Sequence, residues 1–270
     1  MNEAIKLFFY RSSTGKLNFG DELSPEIVSF VSGRRVRRVS RNQCDLIAIG
    51  SILDKQCSLQ NKFQNKIRLI ISRPVFVWGS GLISDKQKRK PAFIPLALRG
   101  KLTKNNLSLG PELDIPLGDP ALFVSQMICH KLKRCGIGIV PHYTDKGHPL
   151  ISYFNNIPNV KIIDVERGGS EVCREIASCD FILSSSLHGL VIADAFNIPN
   201  YQIRLFDKLK GRNFKFRDYH TALNRKDTNE FDIFRYKDIT DLKKIETDFS
   251  YQDKIDDICT RLEKVLKFYF

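Results

Sequence analysis

Short apolar runs closed by small-residue or basic turns recur along this chain, and the pattern restricts its fold more than any other feature. Residues 5–10, 45–50, 74–78 and 93–98 are such runs, and so are 136–140, 160–165, 181–183 and 201–203. Their length and apolar content predict buried strands. The turns behind them include Gly50-Ser51, Gly79-Ser80-Gly81, Arg99-Gly100, Pro141-His142-Tyr143 and Ser184-Ser185-Ser186. Helical segments are predicted at 22–32, stopping at Gly33, within 121–133, at 170–178 with Ser170 as N-cap, and at 191–196, closed by Asn197-Ile198-Pro199. Strand, turn and helix in repetition predict a parallel α/β sheet with one functional edge, at the carboxyl ends of the strands. Residues 36–40 read as a short edge strand. Leu117-Gly118-Asp119-Pro120 closes a first series, and the second has the same layout, so a boundary is expected near residue 130. Two further helices are predicted at 241–246 and 254–268. In the last, Ile255, Ile258, Leu262, Val265 and Leu266 form an apolar face that packs on the domains.

The turn Ser184-Ser185-Ser186-Leu187-His188-Gly189 stands out. It joins a strand to a helix, where free N–H groups and a positive partial charge favour an anion. His188 in the first helical turn is placed to move a proton beside that anion. The plainer reading has the serines capping the helix and His188 in a local hydrogen bond. Asn18-Phe19-Gly20-Asp21 offers a permissive glycine and a helix start, or merely an Asp N-cap. Gly79-Ser80-Gly81 forms a ligand cradle or an ordinary tight turn. Arg99 at a strand end reaches a carboxylate or phosphate, or makes a surface salt bridge. His142 sits at another strand end. Arg34-Arg35-Val36-Arg37-Arg38 touches phosphates or protects an edge strand. No HExxH and no GxSxG motif occurs, and no metal-ligand pattern stands out.

The chain has 43 Lys and Arg against 30 Asp and Glu, a formal +13, which favours anionic partners. Seven cysteines, without a C-x-x-C pair, read as reduced thiols of a reducing compartment. No signal peptide and no run of membrane-spanning length is read, so any membrane contact is expected to be peripheral.

The ordered motifs Asn18-Phe19-Gly20-Asp21, Gly50-Ser51-Ile52, Trp78-Gly79-Ser80-Gly81, Arg99-Gly100, Leu117-Gly118-Asp119-Pro120-Ala121-Leu122, Pro141-His142-Tyr143, Ser184-Ser185-Ser186-Leu187-His188-Gly189 and Phe214-Lys215-Phe216-Arg217-Asp218-Tyr219 resemble those of the polysaccharide pyruvyl transferase family, especially its succinoglycan-type bacterial members. The resemblance covers roughly residues 5–220. It implies an α/β fold of two Rossmann-like domains facing a cleft, GT-B-like: residues 1–130 as the acceptor side and 131–270 carrying the Ser-Leu-His-Gly motif and the C-terminal helices. It implies transfer of pyruvate from phosphoenolpyruvate, as a ketal, to a sugar of a surface polysaccharide precursor. His188 is then the acid/base and Arg99 an anion ligand. Asn18, Gly20, Asp21, Gly79, Ser80, Gly81, His142, Ser185, Ser186, Leu187 and Gly189 are substrate-binding. Many family members carry an arginine where this chain has Ser186, so Arg204, Lys215 or Arg217 must supply a cation instead. No cofactor or metal is expected. The expected partners are phosphoenolpyruvate and a lipid-linked oligosaccharide or polysaccharide, with no nucleic acid. The expected place is cytoplasmic, peripheral to the inner face of the plasma membrane. The alternative is a GT-B-type glycosyltransferase using a nucleotide sugar, with Asp164 and Glu166 as ribose ligands. A nucleic-acid-binding protein is the third reading, and the strand-end pattern argues against it.

Overall fold

The computed structural model describes residues 3–12, 15–57, 67, 73–85, 91, 93–110, 112–128, 136–205, 213–225, 230–231 and 251–270. The eight apolar runs form strands, and residues 36–38 and 230–231 form two more. They are β1 (Ile5–Phe8), β2 (Val36–Arg38), β3 (Leu46–Ile47), β4 (Phe76–Trp78) and β5 (Ile94–Ala97) in the first series. The second series holds β6 (Ile137–Val140), β7 (Val160–Ile162), β8 (Phe181–Ser184), β9 (Asn200–Ile203) and β10 (Glu230–Phe231). They build two sheets, ordered β2-β1-β3-β4-β5 and β10-β9-β8-β6-β7. Every strand pairing among the described residues is parallel. Buried parallel strands need apolar residues on both faces, and β6 and β8 are buried at every position.

Read from its first strand, each sheet has the same order. One neighbour lies on one side of β1 or β6, and the remaining three strands lie on the other. The chain therefore reverses direction beside β1 and β3, and again beside β6 and β8. These are the switch points where open α/β sheets bind ligands.

The helices are α1 (Phe19–Ser32), α2 (Leu53–Gln56), α3 (Lys101–Asn106), α4 (Val124–Met127), α5 (Pro149–Phe154), α6 (Gly169–Ala177), α7 (Leu187–Ala195), α8 (Phe214–Leu223) and α9 (Gln252–Tyr269). A 3-10 turn at Pro120–Phe123 precedes α4. Helix α1 starts at Phe19, three residues earlier than its apolar spacing predicts, and ends on left-handed Gly33. Helix α6 starts one residue before the expected cap. Gly168 is its N-cap, and the Ser170 hydroxyl donates instead to Glu26 on α1 at 2.5 Å. Every residue of α7 is buried, as expected of a helix apolar all round. The last helix packs as its periodicity predicts: Ile255, Ile258, Leu262 and Leu266 are buried, and the Trp78 indole N–H donates to the Leu262 carbonyl at 3.0 Å. The helix predicted at 241–246, and Cys129, His130 and Cys135, lie outside the described residues. Cys44, Cys173, Cys179 and Cys259 are buried.

Arg99, expected to grip a ligand, is 1% exposed and committed within the protein. Its Nε–H donates to Asp218 Oδ2 at 3.0 Å, and its terminal nitrogens donate to Ser51 Oγ at 2.5 Å and the Leu82 carbonyl at 2.6 Å. Asp218 also accepts from the Thr103 N–H and hydroxyl on α3. Gly81 makes the seat for the guanidinium: a Cβ there would lie 2.4 Å from Arg99 Cζ. The turn Gly79-Ser80-Gly81 therefore cradles Arg99, and Ser80 Oγ is turned to the Gly50 carbonyl.

Removing one partner of a buried pair strands the other charge. Asp218→Ala is expected to lower unfolding stability by about 3–5 kcal/mol in urea titration. Arg261→Ala removes a pairing with Asp114, whose side chain is 89% exposed, and is expected to cost about 0–1 kcal/mol. Equal losses would refute the structural role given to Arg99–Asp218.

Candidate functional site

A cavity of about 330 Å³ lies where the two switch points meet. The segment after β1 contributes Tyr10, Asn18 and Asp21, and that after β3 contributes Gly50, Ser51 and Ile52. The turn after β6 adds His142 and Tyr143. The turn after β8 adds Ser186, Leu187 and His188, and α8 adds Lys215. Apolar runs end in these turns because the sheet stops there, so small and polar residues are concentrated at one edge.

The Ser184-Ser185-Ser186 turn is fixed by its own hydroxyls. Ser184 Oγ lies 2.9 Å from the Val140 carbonyl and 2.8 Å from the Ser186 carbonyl, and accepts the Ser186 N–H at 3.0 Å. Ser185 Oγ accepts the His142 N–H at 2.9 Å. Ser186 occupies the N-cap position of α7 without a side-chain cap bond and faces the cavity. Ser184 and Ser185 thus tie the β6 turn to the β8 turn, and of the three serines only Ser186 lines the cavity.

His188 is 8% exposed and wedged between α1 and the Leu117-Gly118-Asp119-Pro120 turn. Its ring stands edge-on to Phe19, with centroids 6.2 Å apart. Gly20 is required beneath it, because a Cβ there would come within 1.9 Å of Nδ1. On its other side, Nε2 lies 3.8 Å from Asp119 Oδ2. Burial, then the charges of Lys215 and Arg99, push the His188 imidazolium down to about 3, so the ring is neutral near pH 7. His142 is likewise lowered to about 3, by burial and Lys215; its Nδ1 is 2.7 Å from Thr144 Oγ1.

One carboxyl group faces the cavity and another lies beside the imidazole. Asp21 is 6% exposed, and burial followed by the charge of Glu22 raises it to about 7. Among the described residues it has no hydrogen-bond partner, and it faces the cavity. Asp119 is fully buried and raised to about 6, chiefly by burial. Lys215 brings the cation. Its ammonium lies 5.2 Å from the centre of the Phe216 ring and, among the described residues, has neither a hydrogen bond nor an ion pair. Burial, then Arg99, lowers it to about 8, against the pull of Asp145 and Asp21.

Of the residues expected at the site, Asn18, Asp21, His142, Ser186, Leu187, His188 and Lys215 line this cavity. Gly20 supports the histidine from below. Arg99, Gly79, Ser80, Gly81, Ser185 and Gly189 form the scaffold behind the wall. Arg217 and Arg204 are exposed and do not line it. Lys215 is therefore the one of the three substitute cations that the fold brings to the cavity. Asp164 and Glu166, read as ribose ligands, are ion-paired to Lys146 at 2.8 and 2.6 Å and lie outside the cavity wall. Asp119 was legible only as turn punctuation; the signal was an Asp N-cap before Pro120. Tyr10 and Tyr143, 44% and 49% exposed at the mouth, carry no sequence signal beyond their places at strand ends. Among the described residues no group of three His, Cys, Asp or Glu could hold a metal ion.

Comparison with known proteins follows the same ground. The chain is 28% identical over 200 residues to the succinoglycan biosynthesis protein ExoV of Rhizobium meliloti, covering 72% of this chain and 58% of that protein. It is 29% identical over 169 residues to an uncharacterized protein of Acanthamoeba polyphaga mimivirus, covering 58% of each. The chain thus spans less than two thirds of the length of these curated relatives. A solved structure of a functionally uncharacterized protein from Klebsiella pneumoniae aligns over 80% of this chain and 87% of that one, at 12% identity and a TM-score of 0.44. The family model described as polysaccharide pyruvyl transferase matches residues 5–203, and the chain belongs to that family.

Proposed function

We propose that the cavity binds phosphoenolpyruvate and transfers its pyruvyl unit, as a ketal, to two hydroxyls of a sugar in a surface polysaccharide precursor. The observation that carries this reading is Lys215, a cavity cation with neither a hydrogen bond nor an ion pair among the described residues, set beside a neutral histidine and a carboxyl near neutral pKa. A doubly anionic donor needs such a cation, and ketal chemistry needs groups that both take and give protons. The anion role first assigned to Arg99 passes to Lys215, with the start of α7 beside it. At about 330 Å³ the cavity is at the small end of ligand sites, which suits a three-carbon phosphorylated acid better than a nucleotide sugar.

Neutral His188 takes the proton of the first attacking hydroxyl and delivers it to C3 of the enol, while that oxygen bonds to C2. The lowered pKa makes the imidazolium a strong acid for protonating carbon. The second hydroxyl then closes the ketal as the C2–O bond to phosphate breaks, and Asp21 passes its proton to the departing phosphate. The two hydroxyl protons end on the new methyl group and on phosphate, so no redox step is involved.

The acceptor in this reading is a lipid-linked sugar at the inner face of the membrane, reached peripherally, with the +13 charge suited to an anionic surface. Among the described residues no helix is long and apolar enough to cross a membrane. The duplicated sheet order supports two Rossmann-like, GT-B-like domains, 1–130 and 131–270, facing a cleft.

Incubation with phosphoenolpyruvate and glycolipid acceptors, read by mass spectrometry, tests the reaction. His188→Ala is expected to lose at least about 100-fold in kcat while still unfolding in one cooperative transition. Lys215→Met is expected to raise the KM for phosphoenolpyruvate about 10- to 100-fold, the worth of a charged hydrogen bond. Substantial turnover by His188→Ala would sink its assignment. The pH profile provides a second test. Asp21 must be ionised and Lys215 protonated, so kcat/KM is expected to rise through about pH 7 and fall beyond about pH 8. The rising limb should vanish in Asp21→Asn; a limb that persists there assigns it to another group.

A further inference from the structure

Two buried polar atoms at the site face each other without a hydrogen-bond partner among the described residues. Asp119 is fully buried, and its two carboxylate oxygens have different surroundings. Oδ1 accepts the Ala121 N–H at 3.0 Å and caps the 3-10 turn, whose first residue is Pro120. Among the described residues Oδ2 has no hydrogen-bond partner, and neither has His188 Nε2, which is buried 3.8 Å away. An unmet polar atom in a buried setting is costly, and here two complementary ones are aligned. A shift of about 1 Å brings them to ordinary hydrogen-bond length. The opposite edge of the ring lies over Gly20, with Nδ1 in the space a side chain there would fill, and His188 lines the cavity.

We propose that Asp119 is the positioning residue of His188: Asp119 Oδ2 accepts the Nε2–H of the imidazole, fixes that tautomer, and leaves Nδ1 as the nitrogen that exchanges protons with the substrate. The inference rests on the proposed ketal transfer for what the proton is used for, but the tautomer is a property of the free protein. Neutral imidazole carries one N–H, and a carboxylate beside one nitrogen places it there. The donation orients the ring and stabilises the imidazolium formed when Nδ1 takes the hydroxyl proton. Asp119 touches no substrate in this arrangement; Oδ1 belongs to the turn and Oδ2 to the histidine.

The test is nitrogen-15 NMR of the full-length protein with labelled histidines, His188 being assigned among the five from the spectrum of His188→Gln. The expected result is a neutral Nε2–H tautomer for His188; an Nδ1–H tautomer overturns the proposal without touching the reaction assignment. Asp119→Asn keeps an oxygen for the Ala121 N–H and turns an amide N–H toward Nε2. It is expected to switch His188 to Nδ1–H and to lower kcat at least about 100-fold, as a misoriented tautomer does in triad enzymes. The KM for phosphoenolpyruvate should stay within about threefold of the unsubstituted protein, since uniform binding is untouched. Retained kcat, or an unchanged tautomer in Asp119→Asn, overturns the proposal. If Asp119→Asn does not fold, the tautomer of the unsubstituted protein decides alone. If that protein shows the Nε2–H tautomer but no turnover with phosphoenolpyruvate, the positioning role stands and the reaction assignment fails.

Discussion

The buried pair between Arg99 and Asp218 is the interaction on which the site depends. Arg99 closes the last strand of the first sheet, and Asp218 lies in a helix that follows the fourth strand of the second sheet. The carboxylate also takes two hydrogen bonds from Thr103, and the Lys101 N–H donates to Thr221 on the same helix. Helix α8 is thus docked on the first series, although its chain comes from the second. Lys215 precedes Asp218 by three residues, close to one helical turn, so both lie on the docked side. Holding Asp218 places the Lys215 ammonium in the cavity. Buried ion pairs are poor sources of net stability, and the requirement of a single geometry is the better account of this one.

The duplicated sheet order gives the cavity its composition. In each series the strand that opens the sheet has one neighbour on one side and three on the other. The segments after β1, β3, β6 and β8 therefore open into the same space, and all four line it. Burial in that space sets the chemistry. It keeps His188 neutral, and it lifts Asp21 and lowers Lys215, so a carboxyl and an ammonium that ordinarily titrate several units apart come close together.

Much of this could be read from the sequence, for a definite reason. Buried parallel strands must be apolar throughout, so eight of the strands announced themselves, and the helical spacing of Ile255, Ile258 and Leu262 gave the last helix its packed face. Strand β10 is only Glu230–Phe231 and has no apolar run to betray it. His188 was legible because strand, small turn and helix in that order mark a ligand edge. Arg99 was misplaced because its partner is 119 residues away in sequence, and nothing local distinguishes an arginine that binds a ligand from one that binds a carboxylate. The same limit hid Asp119, whose significance lies in an unmet oxygen that only the folded arrangement reveals. Gly79-Ser80-Gly81 looked like a cradle and is one, for a side chain of the protein itself.

The central claim is that protons from sugar hydroxyls pass through His188 and Asp21 to the donor carbon and phosphate in one cavity. It is tested most directly by running the reaction with phosphoenolpyruvate in deuterium oxide and examining the sugar product by mass spectrometry and NMR. The expected product carries a cyclic ketal whose methyl group holds one deuterium, with one inorganic phosphate released per ketal formed. A product with a glycosyl residue and no ketal, or a ketal whose methyl gains no deuterium, would contradict it.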